Sequence, residues 1–194
     1  MPGELPAPAV HCLLQGKSYV EVSASPLDLM GLYQRVSDPG AGAISTFIGV
    51  TRNNFGGKEV LRLEYEAYVP MALKKLQEVC EALNQRWEVI QVAVAHRIGV
   101  VSVGEASVII AVSSAHRAAS LEAVHWAIDE LKAVVPIWKQ EFFTDGSEWK
   151  ENAESRARLL HQEGQTEQQG QRQQQQVHQE EGQQEQLPQE QGLD

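Results

Sequence analysis

Apolar residues recur at helical spacing in three segments of the chain, which predicts three helices. The first covers residues 25–38, with Ser25 as its N-cap and Pro26 at its first helical position. Residues 70–87 predict the second helix and residues 117–134 predict the third. Each helix is expected to bury one apolar stripe, because its other side is polar. In the third helix the stripe consists of Leu121, Val124, Ile128, Leu131 and Val135.

Segments rich in β-branched and aromatic residues predict strands at residues 17–25, 42–52, 60–69, 89–99, 106–116 and 137–143. The third segment alternates strictly between apolar and polar residues, so we expect Leu61, Leu63 and Tyr65 to share a buried face. Residues 145–149, after the last strand, predict a turn. The order β-α-β-β-α-β-β-α-β predicts an α+β fold, in which helices pack on a mostly antiparallel sheet.

The two ends of the chain differ in composition from the segment between them. Residues 1–16 are rich in proline and predict a flexible N-terminal lead-in. Residues 161–194 contain mostly glutamine and glutamate with few apolar residues, which predicts a disordered tail. The remaining segment, residues 17–160, is long enough to bury the core of one domain.

The net charge of −10 is divided unevenly along the chain. Residues 161–194 contain seven acidic residues and one arginine, which gives −6 and leaves −4 for residues 1–160. A mildly acidic domain lacks the basic surface that binds duplex nucleic acid. Any anion site must therefore come from a local cluster of cations.

The chain contains two cysteines, Cys12 and Cys80, at a spacing typical of neither a disulfide framework nor a zinc site. Both are expected to be buried or neutral free thiols in a reducing compartment. No apolar segment has the length that spans a bilayer, and the N-terminus lacks the features of a secretory signal or transit peptide. We therefore expect a cytosolic protein.

Cationic or protonatable side chains stand at the ends of predicted elements, and these are Arg52, His96, Arg97, His116, Arg117, Lys132 and Lys139. The junction SSAHR is the most suggestive, because Ser113 or Ser114 can cap the third helix and a helix N-terminus favours anions. Each candidate also has a structural interpretation. His96 and Arg97 can hold the following turn, and lysines can be solvated while their stems cover the core. Spacing alone does not bring these cations to one site.

Other familiar motifs are missing from the sequence. It contains no GxSxG motif, Walker A loop or Rossmann fingerprint. Its histidines and carboxylates do not group at the spacing of metal ligands, so no metal site is predicted. An enzyme with this sequence would use lysine, arginine and histidine on an anionic substrate.

Several segments in combination resemble one known family. Between Tyr19 and Asn152 the chain contains, in order, GAISTFIGVTRN, LEYEAYVPMA, VAVAHRIGVVSVGEASVIIAVSSAHRAAS, LKAVVPIWKQEFF and DGSEW. Together these closely resemble the large, catalytic subunit of molybdopterin synthase. The resemblance implies an α/β hammerhead type of fold and a role in molybdenum cofactor biosynthesis.

This resemblance implies a sulfur transferase. Members of the family convert cyclic pyranopterin monophosphate into molybdopterin by installing its two dithiolene sulfurs. The sulfur arrives as a thiocarboxylate on the C-terminal Gly-Gly of a small ubiquitin-like subunit, whose tail enters a pocket of the large subunit. Large subunits form a homodimer with one small subunit at each end, which gives a heterotetramer. No metal or organic cofactor is implied, because the sulfur comes from the partner.

The resemblance also implies two catalytic lysines, which bind substrate as well. Lys132 matches the lysine beside the partner's C-terminus, and Lys139 matches the second essential lysine. We expect Lys132 to handle protons, or transiently the acyl group, at the thiocarboxylate carbon. The alternative is a non-catalytic module that binds a ubiquitin-like tail or a phosphorylated metabolite.

Five further residues are implied to bind the substrate. His116 and Arg117 match the pair that lines the site of the pterin phosphate. Arg52 matches the arginine at the strand end of that pocket. Gln140 and Glu141 fall within the substrate-binding stretch after Lys139.

Overall fold

The computed structural model describes residues 10–150. The described elements follow the chain in this order: β1 Val10–Gln15, β2 Ser18–Ser23, α1 Leu29–Val36, β3 Ala43–Val50, β4 Asn54–Phe55, β5 Lys58–Ala67, α2 Val69–Arg86, β6 Val89–Arg97, β7 Gly99–Ser102, β8 Ala106–Ser114, α3 Arg117–Val134, β9 Ile137–Phe143 and β10 Gly146–Lys150. The predicted elements are all present in the predicted order. Strands β1, β4, β7 and β10 are additional to the prediction.

Five strands form the first sheet, in the order β1-β2-β6-β8-β3. Strands β2 and β6 run parallel, and the other neighbours are antiparallel. Helices α2 and α3 cover one face of this sheet, where Leu76, Val94 and Ile110 belong to the main core. The short helix α1 packs on the opposite face through Leu32 and Val36. The predicted α+β class with a mostly antiparallel sheet is confirmed.

A second sheet has the order β10-β9-β5-β4, and β7 pairs with β5. All of its pairs are antiparallel. One face packs against the main core through Tyr65, Ala67 and Ile137. This packing places alternate side chains of β5 and β9 beside the C-terminal end of α3, where the candidate site lies.

Helix α1 is shorter than predicted and begins at a different N-cap. The Asp28 side chain accepts a hydrogen bond of 3.0 Å from the backbone N–H of Gly31. Ser25 lies in the turn after β2, where its backbone N–H donates to the Ser23 hydroxyl. The prediction of Ser25 as the N-cap is wrong, because aspartate and serine accept the same bond and both precede the apolar segment.

The strict alternation of β5 is interrupted by a β-bulge between Val60 and Arg62. Val60 and Leu63 are buried, whereas Leu61 is 48% exposed. The prediction that Leu61 shares the buried face is wrong, because one extra residue reverses the facing of a strand. In α3, the predicted core residue Leu121 is also exposed, while the other four residues of the stripe are buried.

Two segments predicted to be irregular form strands. Strand β1 lies within the predicted lead-in and pairs with β2. Strand β10 begins within the predicted turn, ends one residue beyond it and pairs with β9. The turn is confined to Thr144 and Asp145, as in a two-residue hairpin. Residues 1–9 and the tail at 161–194 lie outside the described residues, so the predicted domain boundaries stay predictions.

Candidate active site

A pocket of about 260 Å³ lies between the two sheets, beside the C-terminal end of α3. Strands β3, β6 and β8 line it from the first sheet, and β5 and β9 line it from the second. Apolar side chains such as Phe47, Leu131 and Val135 contribute to its lining. Four predicted site residues also line it, namely Arg52, Lys132, Lys139 and Glu141. Apolar pockets with a few charged groups are typical of small-molecule sites.

Lys132 lies in the last turn of α3, which ends at Val134. Pro136 stops the helix, since it has no backbone N–H, and β9 begins at Ile137. This change of direction brings Lys132 and Lys139 to the same pocket from a helix and a strand. This arrangement favours one anion site that contains both lysines over two independently solvated side chains.

Lys139 and Glu141 alternate along β9, and both line the pocket. Lys139 Nζ lies 3.0 Å from Glu141 Oε1. Glu141 is only 4% exposed, and its Oε2 atom is buried without a hydrogen-bond partner in the described part of the chain. Burying an unpartnered polar atom costs free energy. A ligand that donates a hydrogen bond to Oε2 would remove that cost.

Gln140 lies between these two residues and does not line the pocket. Its amide donates a hydrogen bond of 3.0 Å to the Ser147 hydroxyl of β10. Successive side chains of a strand point to opposite faces, so Gln140 faces away when its two neighbours face the pocket. Its role in substrate binding stays a prediction that its position does not support.

Arg52 lies two residues beyond β3 and is exposed where it lines the pocket. The adjacent Thr51 is buried and anchors the chain, because its N–H donates to the Glu105 carbonyl and its own carbonyl accepts from the N–H of Gly104. Arg52 therefore follows a fixed residue, and its guanidinium offers a planar set of hydrogen-bond donors that suits a phosphate.

His116 and Arg117 lie at the opposite end of α3 from Lys132. Arg117 and Lys132 are fifteen residues apart in the helix, which corresponds to about 22 Å. His116 lines a second cavity, of about 500 Å³, together with Lys17 and Arg86. Within one chain, therefore, the structure does not bring His116 and Arg117 to the pocket of the lysines.

The serines of the SSAHR junction do not cap α3 as predicted. His116 occupies the N-cap position and makes no side-chain capping bond. The Ser113 hydroxyl accepts from the backbone N–H of Gln91, and the Ser114 hydroxyl donates to the His116 carbonyl. The positive end of the helix thus stays beside His116 and Arg117.

Four polar residues of the pocket were not predicted as site residues, namely Asn54, Tyr65, His96 and Ser107. His96 is buried, and its Nδ1 atom lies 2.8 Å from the Arg97 carbonyl oxygen. Burial lowers the pKa of His96 to about 4, so the imidazole is neutral. Burial raises the pKa of Tyr65, and the charge of Glu141 adds to the rise. The only sequence signal for these residues was the position of His96 near a strand end.

Arg97, by contrast, fits its structural interpretation. Its guanidinium lies 2.9 Å from a carboxylate oxygen of Glu105, which also accepts from the backbone N–H of Ser102. These bonds connect the end of β6 with the turn between β7 and β8. Arg97 therefore stabilises the loop rather than the pocket.

An α+β fold that gathers cations around an apolar pocket defines a class of protein that binds an anionic small molecule. A model of the MoaE protein family matches residues 22–134, which is more than half of the chain. The chain therefore belongs to the MoaE family.

Proteins that are similar to this chain in sequence or in structure support this family assignment. The human molybdopterin synthase catalytic subunit is 54% identical over 140 residues, which cover 72% of this chain and 74% of the human protein. The crystal structure of molybdopterin synthase from Staphylococcus aureus matches with a TM-score of 0.64 and 37% identity, over 66% of this chain and 94% of that chain. These similarities confirm the predicted family and the predicted function as a molybdopterin synthase catalytic subunit.

A third relative shows the fold alone. It is a complex of subunits 1 and 2 of the molybdopterin-converting factor from Helicobacter pylori 26695, which matches with a TM-score of 0.58 and 20% identity. The match covers 69% of this chain and 91% of that chain.

Residues 10–150 offer neither a membrane span nor a metal cluster, and they contain two thiols. None of the helices there is long and apolar enough to cross a membrane. No three His, Cys, Asp or Glu side chains in this range group closely enough to hold a metal ion. Both cysteines are free thiols, as predicted; Cys12 is exposed, and burial raises the pKa of Cys80 to about 12.

Proposed function

We propose that this chain acts as a molybdopterin synthase catalytic subunit through a pocket formed by Arg52, Lys132 and Lys139. The substrate is cyclic pyranopterin monophosphate, and the sulfur donor is the thiocarboxylated C-terminus of a small ubiquitin-like subunit. The observation that carries this proposal is that two lysines from different elements line one apolar pocket. Substrate phosphate and thiocarboxylate are both anions, so a pocket that holds them together needs several cations.

The size of the pocket supports this choice of ligands. Its volume of about 260 Å³ lies just below the usual volumes of ligand sites, which are roughly 300–1,000 Å³. Such a volume suits a compact phosphorylated heterocycle. A protein partner fits only through an extended chain end without side chains, as in a Gly-Gly terminus.

The two lysines have different tasks in this proposal. Lys132 transfers protons, or transiently carries the acyl group, at the thiocarboxylate carbon. Lys139 holds the substrate, and its ion pair with Glu141 fixes the direction of its ammonium group. Each thiocarboxylate sulfur forms a C–S bond to a side-chain carbon of the pterin and displaces an oxygen substituent there. Water then cleaves the acyl–sulfur bond, so the sulfur stays on the pterin and the partner's terminus leaves as a carboxylate.

His116 and Arg117 enter the pocket from a second copy of the chain. The family resemblance assigns them to the phosphate site of the lysines, yet Arg117 and Lys132 are about 22 Å apart along one helix. A homodimer, which the same resemblance implies, resolves the conflict when each copy contributes one end of α3. Two-fold symmetry then produces two identical shared sites.

Strand β3 provides a surface for this contact. It is an edge strand of the first sheet, and its residue Val50 is exposed. Ala43 at its start pairs with Ser114, close to His116, whereas its other end leads to Arg52. Antiparallel pairing with β3 of a second copy places the start of one strand beside the end of the other. The second copy's His116 then approaches Arg52.

The experiment that tests the chemistry is single-turnover conversion of cyclic pyranopterin monophosphate with a preformed thiocarboxylated small subunit. Wild type should form the dithiolene, and Lys132→Ala and Lys139→Ala should each lose roughly 100-fold or more, as for removed acid–base groups. Lys75→Ala is the control, since Lys75 pairs with Glu78 on α2 outside the pocket. Wild-type turnover by Lys132→Ala would contradict its assigned role.

The same assay separates the enzyme from the non-catalytic alternative. Tight binding of the small subunit with no product from wild type would favour a module that only grips the ubiquitin-like tail. The lysines would then be anchors.

Shared sites are tested with a mixed dimer of Lys132→Ala and His116→Ala chains carrying different affinity tags. If sites are shared, one pocket of the mixed dimer contains both changes and the other contains neither, so about half of the wild-type activity should return. If each chain forms its own site, both pockets stay defective. Absence of activity in the purified mixed dimer would therefore contradict sharing.

We also infer that the protein acts in the cytosol. A second inference is that its catalytic domain ends near residue 160. The exposed free thiol of Cys12 supports a reducing compartment. Cell fractionation tests the location. Single-turnover activity of a chain ending at residue 160 tests whether the Gln/Glu-rich tail takes part.

A further inference from the structure

Besides its cations, the pocket contains buried polar side chains that can accept hydrogen bonds. Four polar residues on its inner side are buried or half-buried, and we call them the acceptor wall: Tyr65, His96, Ser107 and Glu141. They come from β5, β6, β8 and β9, so both sheets contribute.

The hydrogen bonds of His96 determine which ring nitrogen is an acceptor. Its Nδ1 atom lies 2.8 Å from the Arg97 carbonyl oxygen, and a carbonyl can only accept, so Nδ1 carries the proton. A neutral imidazole then has an unprotonated Nε2, which accepts. Tyr65 holds the ring edge-on, with 5.1 Å between the ring centroids.

Two further members of the wall also present acceptors. The Ser107 hydroxyl donates to the Gly49 carbonyl over 3.3 Å and also shares a hydrogen bond with Tyr65, which leaves one oxygen lone pair for a donor on the ligand. Glu141 Oε2 has no hydrogen-bond partner among the described residues. The wall therefore suits a ligand that donates hydrogen bonds.

We propose that the acceptor wall binds the N–H edge of the reduced pterin ring, and that His96 and Glu141 thereby orient the substrate. This inference rests on the proposed function, because it concerns the same pocket and substrate. A reduced pterin has ring N–H groups and an exocyclic amine, all of which donate, whereas its phosphate can only accept. The buried wall and the exposed Arg52 therefore recognise opposite ends of one molecule, while Lys139 stays paired with Glu141.

Electrostatics reinforces a single orientation. The carboxylate of Glu141 repels a phosphate, so the phosphate lies toward Arg52 and away from the Lys139–Glu141 pair. A reversed substrate would leave the N–H groups facing cations and the phosphate facing a carboxylate. The wall therefore also selects against phosphate esters that lack an N–H-rich ring, because they leave its buried acceptors unpaired.

Binding of two fragments to the full chain separates the two halves of the pocket. The fragments are tetrahydropterin without a phosphate and inorganic phosphate without a pterin. His96→Phe keeps a planar ring but removes the acceptor, so it should weaken tetrahydropterin about tenfold or more and leave phosphate binding unchanged. Arg52→Ala should give the opposite pattern, because Arg52 is assigned to the phosphate. With the complete substrate, His96→Phe should raise KM more than it lowers kcat.

Equal weakening of both fragments by His96→Phe would overturn the proposal, since it would indicate a general structural role. Wild-type protein with ¹⁵N-labelled histidine provides a test that does not depend on the folding of a variant. The Nε2 resonance of His96 should move when substrate binds and stay in place when inorganic phosphate binds. An unmoved resonance with substrate bound would refute the acceptor wall alone. Failure of wild type to bind the substrate at all would refute the proposed function as well.

Discussion

Lys139 Nζ lies 3.0 Å from Glu141 Oε1, and the two side chains are buried to different extents. The lysine side chain is 27% exposed, whereas the glutamate side chain is 5% exposed. The ammonium group can therefore meet a ligand while it neutralises a carboxylate that water barely reaches. Lys139 therefore combines a structural partner with access to the pocket.

We predict that Lys139→Ala destabilises the fold because it leaves Glu141 charged, buried and unpaired. The free energy of unfolding should fall by about 2–4 kcal/mol, somewhat less than for a fully buried pair. Adding Glu141→Gln should recover part of the loss, because the remaining group is then neutral. Denaturant unfolding of the wild type, both single variants and the double variant measures this coupling. Additive losses in the double variant would show that the pair is not coupled.

Local signals in the sequence were sufficient for several elements. Helix α3 and strand β9 have the predicted bounds, because helical spacing and Pro136 define them within a few residues. The bulge in β5 was missed because it depends on β9, which is distant in sequence. Strand β1 was missed although its partner β2 follows it directly. An exposed strand such as β1 carries little hydrophobic signal of its own.

The candidate site was only partly predictable. The family resemblance indicated Lys132 and Lys139, and the structure supplies the turn that brings them together. The predicted length of α3 already implied that Arg117 is far from Lys132, so the separation within one chain follows from the sequence. His96 lines the pocket because the two sheets pack together, and no local sequence pattern predicts that packing.

The bulge predicts unequal effects of two leucine substitutions in β5. Leu63→Ala should lower the free energy of unfolding by about 2–4 kcal/mol, because Leu63 is buried. Leu61→Ala should cost less than about 1 kcal/mol, because Leu61 is largely exposed. Denaturant unfolding measures both values. Equal losses would place Leu61 in the core and contradict the bulge.

Buried His96 predicts that the protein loses stability in mild acid. Its pKa is about 4 in the folded state and about 6.5 when unfolded, so below pH 6.5 the unfolded chain binds a proton that the folded chain excludes. Stability should therefore fall between pH 6.5 and 4 by up to about 1.4 kcal/mol per pH unit, and this contribution should be absent above that window.

The control for this pH dependence is His96→Phe, which cannot titrate at this position. Its stability should change less between pH 6.5 and 5 than that of wild type, measured by urea unfolding at each pH. The backbone N–H of Ser102 lowers the pKa of the Glu105 carboxyl, and this effect is common to both proteins, so it cancels in the comparison. Parallel curves for the two proteins would show that His96 is protonated to the same extent in the folded and unfolded states.

The start of β3 predicts a specific effect of Gly42→Ala on the junction before α3. A Cβ added at Gly42 would overlap the backbone carbonyl oxygen of Ala115, the residue before His116. Because backbone cannot rotate away as a side chain can, the strand or the junction must shift, at a cost of about 1–3 kcal/mol. Gly40→Ala is the matched control, since its Cβ would meet the movable side chain of Asp38. Thermal unfolding should show a clearly lower Tm for Gly42→Ala than for Gly40→Ala.

Because His116 follows Ala115 directly, Gly42→Ala should also reduce single-turnover activity at temperatures where the variant is fully folded. A folded, fully active Gly42→Ala protein would show that the position of His116 tolerates this shift, which would contradict its place in a shared phosphate site.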